Sequence, residues 1–150
     1  MSKRAAKPAN MPWLTPYITV RDPEKSLDFY QHAFGFQPGS QPLCDSSGKI
    51  VHAEMSYRDA YLMMGVEGAM GATKKTPASS GIECPIGPYL YCDDVDALFR
   101  QALAAGAQPI MEPQEMFWGD RMCSVQDPDG YDWSFATNVA DFDPGKVPQM

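Results

Sequence analysis

Two stretches with the same pattern decide the fold: Pro16-Tyr17-Ile18-Thr19-Val20-Arg21-Asp22 and, 72 positions later, Pro88-Tyr89-Leu90-Tyr91-Cys92-Asp93-Asp94. Each begins with proline and tyrosine, continues through residues that favour strands, and ends in an aspartate that can cap a helix. A second pair of segments, residues 33–38 and 104–109, repeats at an offset of 71. Two linked echoes indicate that the chain is built from two copies of one unit.

Each copy is predicted to run strand, helix, and then three extended segments. In the first copy Asp22 is the N-cap, Pro23 takes the first helical position and Gly35 ends the helix. In the second copy Asp94 and Gly106 take the corresponding places. The β-branched and aromatic runs, bounded by turn residues, predict strands at 14–20, 36–43, 49–57 and 61–66, and again at 88–92, 108–111, 121–126 and 131–137.

This element order predicts an α+β fold of two tandem βαβββ modules, which form a curved mixed sheet around a cleft with the helices on its outer face. The segment between the modules is rich in Gly, Ala, Thr, Ser and Pro, and we expect it to be a mobile linker. The predicted organisation is a tail at 1–12, one domain at 13–139 containing module one (13–67), the linker (68–87) and module two (88–139), and a tail at 140–150.

Composition limits the classes of partner. A chain of 150 residues with 44% hydrophobic and 21% charged residues is typical of one folded domain. Its net charge of -7 disfavours nucleic acid and anionic membrane surfaces. The basic N-terminus is not followed by an apolar segment, and the four cysteines form no C-x-x-C pair, so we expect a reduced, cytoplasmic protein.

Several short motifs along residues 13–139 occur in a characteristic order. They are Leu14-Thr15-Pro16-Tyr17, Val20-Arg21-Asp22, Leu27-Asp28-Phe29-Tyr30, Ala33-Phe34-Gly35, His52-Ala53-Glu54, Met116-Phe117-Trp118-Gly119-Asp120-Arg121 and Asp127-Pro128-Asp129-Gly130. Together with the duplicated unit they resemble the vicinal oxygen chelate superfamily of glyoxalases, bleomycin resistance proteins and extradiol dioxygenases, and most closely its PhnB-like, glyoxalase-like branch. The resemblance implies a small-molecule ligand and a homodimer.

Enzymes of this superfamily hold a divalent metal with four side chains, two from each module. Carried over by position, those places fall on Thr15 and Glu54 in module one, and near Gly87 and on Ser134 in module two. Of these four positions, Glu54 alone has a residue type that commonly binds metals. A catalytic site needs at least three His, Asp, Glu or Cys ligands. We therefore predict no cofactor and disfavour a bound divalent metal.

His52 and Glu54 are two apart on a predicted strand and should point to one face, into the cleft. A carboxylate there could act as a general base with His52 orienting it. The alternative is a structural polar pair, in which Glu54 is partnered by His52 or Arg121.

The loop from Phe117 to Arg121 combines aromatic and charged groups. Trp118 could stack on a ligand, and Arg121 could hold an anionic group or stabilise a developing oxyanion. The structural alternative is that the aromatics close the cleft floor and Arg121 pairs with Asp120 or Asp22. The expected ligand-binding residues are Thr15, Tyr17, Tyr89, Tyr91, Phe117 and Trp118, and the expected catalytic residues are Glu54, His52 and Arg121.

Three functions remain open at this point. The first is binding or conversion of a small molecule, without a tightly held metal, in an aromatic-lined cleft. The second is sequestration of an antibiotic or metabolite without catalysis. The third is a metal-dependent lyase or isomerase of the lactoylglutathione lyase type, with a metal completed by Glu54, water and a partner subunit.

Overall fold

The computed structural model describes residues 2–150 and confirms the α+β class, with two separate mixed sheets. The chain divides into two compact units. Unit one contains the residues up to Gln31 and Gly35–Lys74, and unit two contains His32–Phe34 and Lys75 onward. The last turn of the first helix therefore groups with unit two.

Unit one has five strands in one sheet. Its elements are β1 (Tyr17–Val20), α1 (Pro23–Phe34, of which the last turn groups with unit two), β2 (Gln37–Pro38), β3 (Leu43–Cys44), β4 (Ile50–Tyr57) and β5 (Ala60–Val66). The strand order is β1-β5-β4-β2, and β3 also pairs with β4. The β1–β5 pair is parallel and the other pairs are antiparallel.

Helix α1 begins and ends where the sequence predicts. The side chain of Asp22 accepts a hydrogen bond from the backbone N–H of Lys25 at 3.3 Å, and Gly35 adopts φ 75°, a left-handed conformation that favours glycine. The ring of Tyr30 lies 5.9 Å from that of Phe36, which in turn lies 5.3 Å from Tyr57 on β4. This aromatic chain joins the helix to one face of the sheet.

The strands of unit one bury alternate residues. Ala53 and Met55 on β4, and Leu62 and Met64 on β5, are at most 3% exposed. Because successive side chains of a strand point to opposite faces, the residues between them share the other face. We call that side the open face of unit one.

Unit two repeats the arrangement. Its elements are α2 (Pro77–Ser80), β6 (Tyr89–Tyr91), α3 (Val95–Ala104), β7 (Gln108–Glu115), β8 (Asp120–Gln126) and β9 (Asp132–Asn138). The strand order is β6-β9-β8-β7, with β6 and β9 parallel. Asp94 caps α3 by accepting from the N–H of Ala97 at 3.0 Å, as predicted. The β7 strand runs beyond the predicted 108–111, and its two prolines are tolerated because it is an edge strand.

The core of unit two lies between α3 and one face of its sheet. Cys123 and Val125 on β8 and Phe135 on β9 are fully buried. The ring of Phe34, from the last turn of α1, packs 4.7 Å from the ring of Phe135. The opposite side of this sheet is the open face of unit two.

The predicted linker contains a short helix that the sequence analysis missed. Thr76 is fully buried and accepts a hydrogen bond from the N–H of Ser79 at 3.1 Å, which starts α2. The N–H of Ala78 then donates to the carbonyl of Asp129 at 2.9 Å. This segment is therefore packed in unit two. The sequence analysis missed its helix because the Thr-Pro cap signal lies among small residues that are typical of a linker.

Within residues 2–150, no helix combines the length and apolar character that crossing a bilayer requires. The four cysteines are free thiols, of which Cys123 is buried.

Candidate functional site

A row of polar side chains crosses the open face of unit one. The hydroxyl of Tyr17 lies 3.1 Å from Nδ1 of His52, whose Nε2 lies 3.5 Å from Oε1 of Glu54. The hydroxyl of Ser40 donates to the other oxygen of Glu54 at 3.2 Å. The side chains of His52 and Glu54 are 23% and 22% exposed. We call these four residues the unit-one row; its His52 and Glu54 share one face, as the strand alternation predicts.

The unit-one row depends on a gap at Gly65. Tyr17 is on β1 and His52 on β4, and β5 runs between these strands. Gly65 is the β5 residue opposite His52. A Cβ atom at Gly65 would lie 2.6 Å from the hydroxyl of Tyr17, closer than real contacts allow. The absent side chain therefore lets Tyr17 reach across β5 to the imidazole.

Glu54 is held from the other side by a close backbone contact. The N–H of Gly39 donates to the carbonyl of Glu54 at 2.8 Å, and a Cβ at Gly39 would lie 2.9 Å from that same oxygen. This contact brings Ser40 beside the carboxylate. The loop after β2 thus fixes the orientation of Glu54 on the open face.

The open face of unit two carries a different arrangement, centred on a buried carboxylate. Asp120 is 2% exposed, and its Oδ2 accepts from the hydroxyls of Tyr89 and Tyr91 at 2.9 and 2.8 Å. Its Oδ1 accepts from the amide of Asn138 at 3.0 Å, and the indole N–H of Trp118 donates to the hydroxyl of Tyr89 at 3.2 Å. We call these five residues the Asp120 cluster.

The charge in the Asp120 cluster stays on the carboxylate. Burial raises the pKa of Asp120, but the hydrogen bonds from Asn138, Tyr91 and Tyr89 outweigh it and leave the pKa below its ordinary value. Burial raises the pKa of Tyr89 to about 12, and the hydrogen bond to Asp120 raises the pKa of Tyr91. At neutral pH both tyrosines are therefore donors to one anion.

Arg121 lies apart from both arrangements. Its guanidinium makes a two-pronged contact with Asp96 on α3, at 2.8 and 2.9 Å. This contact lowers the pKa of Asp96 below its usual value. Arg121 thus points to the helix side of β8, because it follows Asp120, whose side chain is on the open face. Its partner is neither Asp120 nor Asp22, the two acids that the sequence suggested.

The remaining predicted ligand residues are spread over both units. Tyr17 belongs to the unit-one row, and Tyr89, Tyr91 and Trp118 belong to the Asp120 cluster. Thr15 precedes β1 and is half-buried. Phe117 packs edge-on against Trp118, with ring centroids 5.0 Å apart.

The metal site that the resemblance implies does not fit these side chains. Glu54 has one nearby nitrogen donor, His52, and the hydroxyl of Ser134 is hydrogen-bonded to that of Ser124 at 2.8 Å. Across residues 2–150, no group of three or more His, Cys, Asp or Glu side chains is placed to hold an ion. Since a catalytic zinc uses three protein ligands, these side chains do not form a catalytic metal site.

Sequence reasoning missed four residues of these arrangements. Asp120 was considered only as a partner for Arg121, although its place at the start of a strand sets it on the opposite face from its neighbour. Ser40 and Asn138 carry no sequence signal, because their roles depend on the loop and strand that bring them in. Gly65 has a weak signal, since an isolated glycine inside a strand often marks a close approach of other atoms.

The chain is similar to known proteins in sequence and in structure. Residues 11–135 match the family model of the glyoxalase/bleomycin resistance protein/dioxygenase superfamily. The chain is 36% identical over 131 residues to an uncharacterized protein of Mycobacterium bovis, an alignment covering 85% of this chain and 84% of the relative. A protein of Mycobacterium tuberculosis strain H37Rv, also uncharacterized, matches at the same identity over 75% of its length.

Solved structures share the fold. TioX from Micromonospora sp. ML1 superposes with a TM-score of 0.67 at 25% identity, covering 84% of this chain and 98% of TioX. A glyoxalase/bleomycin resistance protein/dioxygenase family enzyme from Burkholderia phytofirmans PsJN superposes with a TM-score of 0.65 at 21% identity, covering 83% and 97% of the two chains. With the family model spanning most of its length and relatives at 36% identity, the chain belongs to the glyoxalase/bleomycin resistance protein/dioxygenase superfamily.

Proposed function

We propose that the protein binds a small molecule bearing a carbonyl or carboxylate oxygen, in a cavity of unit one beside Tyr17, without the help of a metal. The cavity has a volume of about 400 Å³, within the usual range for ligand sites. Its lining includes the hydroxyl-bearing Tyr17, Thr19 and Thr73, and among the described lining residues Lys74 carries the charge. Hydroxyl donors and one ammonium group favour an oxygen acceptor or anion as the ligand.

One observation carries this proposal: Tyr17 both lines the cavity and ends the unit-one row. When Nδ1 of His52 accepts from Tyr17, its Nε2 bears the proton and donates to Glu54. A ligand at Tyr17 is thereby connected to Glu54 through one imidazole. A purely structural polar pair would not need a third member, or a glycine at position 65 to admit it.

A ligand screen monitored by thermal unfolding tests the proposal. Carboxylates and carbonyl compounds should raise the melting temperature, and a ligand at one hundred times its Kd adds about 2.7 kcal/mol of stability. For a chain of this size that corresponds to roughly 5–10 °C. Tyr17→Phe should weaken binding, whereas Tyr61→Phe, which removes a tyrosine hydroxyl from β5 outside the cavity lining, should not. Equal affinity in the two variants, or no stabilising carbonyl or carboxylate compound, would exclude this site.

A second function, conversion of the ligand, is favoured by the contact between His52 and Glu54. Glu54 would remove a proton from a ligand that extends from the cavity along the unit-one row, and His52 would orient the carboxylate. Because Arg121 is tied to Asp96, we assign the stabilisation of the developing oxyanion to Lys74 in the cavity lining.

Proton exchange separates conversion from sequestration. A ligand from the screen is incubated with the protein in D₂O, and the NMR signal of its proton next to the carbonyl is followed. Conversion predicts loss of that signal with the wild type and its retention with Glu54→Gln, while binding persists in both. Retention with the wild type would leave sequestration as the function, and exchange that survives Glu54→Gln would remove Glu54 as the base.

A further inference from the structure

Among residues 2–150, no cationic side chain pairs with the buried negative charge of the Asp120 cluster. Asp120 is 2% exposed, yet the four groups around it, Tyr89, Tyr91, Asn138 and Trp118, are neutral. Buried charges in proteins are ordinarily paired with an opposite charge or bound to a metal. Here the carboxylate is stabilised by hydrogen bonds alone, so its negative field is not cancelled locally.

The surroundings of the cluster do not supply the missing positive charge. The guanidinium of Arg121, the next residue along β8, is directed to Asp96 on the helix side. Residues 76–150 carry three basic and twelve acidic side chains. This part of the chain therefore carries a net charge of -9, which favours cations over anions as partners.

Three of the four groups around the carboxylate are aromatic. Tyr89 and Tyr91 are 42% and 55% exposed, and their rings are steeply inclined to each other with centroids 5.8 Å apart. Both phenols donate to Asp120, which increases the electron density of their rings. Trp118, hydrogen-bonded to Tyr89, adds the aromatic surface that attracts cations most strongly.

We propose that the Asp120 cluster is a binding site for a small organic ammonium ion, held by cation–π contact with Tyr89, Tyr91 and Trp118 over the buried carboxylate. The sequence alone suggested an anionic ligand beside Trp118, because Arg121 was expected there. The structure exchanges Arg121 for Asp120 on this face and so reverses the sign of the preferred ligand. The site lies within unit two and is independent of the cavity proposed in unit one.

Choline and its neutral isostere 3,3-dimethylbutan-1-ol are suitable probes, since they differ chiefly in charge. Each is titrated into the wild-type protein while the indole N–H signals of the three tryptophans are followed by NMR. Choline should shift the Trp118 signal and leave that of buried Trp133 in place. We expect choline to bind about tenfold more tightly than the isostere, in the range of a cation–π contact at a partly exposed site.

Two matched variants locate the charge that matters. Asp120→Asn should remove about tenfold of the choline affinity and abolish the preference over the isostere. Asp132→Asn removes the same charge at the far end of β9 and should have a much smaller effect. Tyr91→Phe keeps the ring but removes one hydrogen bond to Asp120, and should lower the choline affinity by less than Asp120→Asn does.

The wild-type comparison decides the matter even if Asp120→Asn does not fold. Three results would each overturn the cation site. They are equal binding of choline and the isostere, no shift of the Trp118 signal at a choline concentration about 100 times a millimolar Kd, and equal losses of choline affinity in Asp120→Asn and Asp132→Asn. None of these outcomes bears on the cavity beside Tyr17, which is tested by carboxylates and by Tyr17→Phe.

Discussion

Replacing Gly65 with alanine should separate function from stability in unit one. The new Cβ would lie 2.6 Å from the hydroxyl of Tyr17, and 3.2 and 3.3 Å from two ring carbons of the same side chain. Each of these three atoms belongs to the outer part of one side chain, and Tyr17 is 58% exposed. The ring can therefore swing toward solvent, which breaks its contact with His52 and leaves the backbone in place.

The expected change in the free energy of unfolding is small because two effects oppose each other. Losing the hydrogen bond between Tyr17 and His52 costs about 0.5–1.5 kcal/mol. Replacing glycine by alanine in a strand returns roughly 0.5–1 kcal/mol, since the unfolded chain loses freedom. Gly65→Ala should thus stay within about 1 kcal/mol of the wild type while its affinity for unit-one ligands falls to that of Tyr17→Phe.

Gly39 provides the matched control. A Cβ at Gly39 would lie 2.9 Å from the backbone oxygen of Glu54 and 3.1 Å from its backbone carbon, neither of which can move without shifting β4. Gly39→Ala should therefore cost about 1–3 kcal/mol, as overpacking against fixed atoms does. Urea unfolding of both variants measures stability, and ¹⁵N NMR of the His52 ring reports the contact with Tyr17.

A double-mutant cycle tests whether the new Cβ acts through the Tyr17 hydroxyl. The Tyr17→Phe variant lacks the hydroxyl that would lie 2.6 Å from the new Cβ. In that background Gly65→Ala breaks no hydrogen bond to His52, so the two substitutions should show a coupling energy of about 1 kcal/mol. Destabilisation by Gly65→Ala as large as that of Gly39→Ala would show that the Tyr17 ring is not free to move. An unchanged His52 spectrum in Gly65→Ala would show that the two side chains do not meet across β5.

Four further outcomes follow from single contacts. Asp127→Ala should cost about 2–4 kcal/mol in urea unfolding, because this buried carboxylate accepts from two backbone N–H groups and one indole. Burial raises the pKa of Tyr89 to about 12, so from about pH 10 the unfolded chain releases a proton that the folded one keeps; stability should fall between these pH values, and Tyr89→Phe should flatten that part of the curve. Arg121→Gln, which breaks the contact with Asp96, should leave the affinity for unit-one ligands at its wild-type level. Trp13 is 82% exposed, and we expect it to contact the second copy in a homodimer, so Trp13→Ser should lower the mass measured by light scattering.

The elements of the fold could be predicted because their signals are local. Asp22 and Asp94 cap helices that begin within the next residues, and Gly35 ends the first helix in a conformation that glycine favours. The shared face of His52 and Glu54 follows from strand alternation alone. None of these inferences requires knowing which strand lies beside which.

The composition of the two sites could not be predicted, since it depends on strand register and phase. Nothing local shows that Gly65 stands opposite His52, or that a loop brings Ser40 to a carboxylate. For Arg121 the outcome depended on the phase of β8: Asp120 lies on the open face, so Arg121 lies on the helix side, where it contacts Asp96 on α3. That partner lies 25 positions away in sequence.

The two units use one register with different side chains. In unit one, His52 on the third strand of the sheet stands opposite Gly65 on the second. In unit two, Met122 on β8 stands opposite Ala136 on β9 in the corresponding place. Ala136 lies two residues after Ser134, the partner of Tyr89, just as Gly65 lies two residues after the partner of Tyr17. The two units therefore pair these strands in the same register, but unit two has a thioether in place of the imidazole and an alanine in place of the glycine.

That replacement explains why the two tyrosines at equivalent positions do different things. Tyr17 reaches 3.1 Å from a ring nitrogen of His52, so its hydroxyl joins an imidazole that also contacts Glu54. Tyr89 reaches 3.9 Å from the sulfur of Met122, a weak acceptor that does not titrate, and its hydroxyl donates instead to Asp120. The same backbone thus places a hydrogen-bonded polar row on one open face and a buried negative charge beside aromatic rings on the other. The two faces should therefore select ligand groups of opposite polarity. For this reason the carboxylate and ammonium probes should be tested separately and then together on one sample of protein.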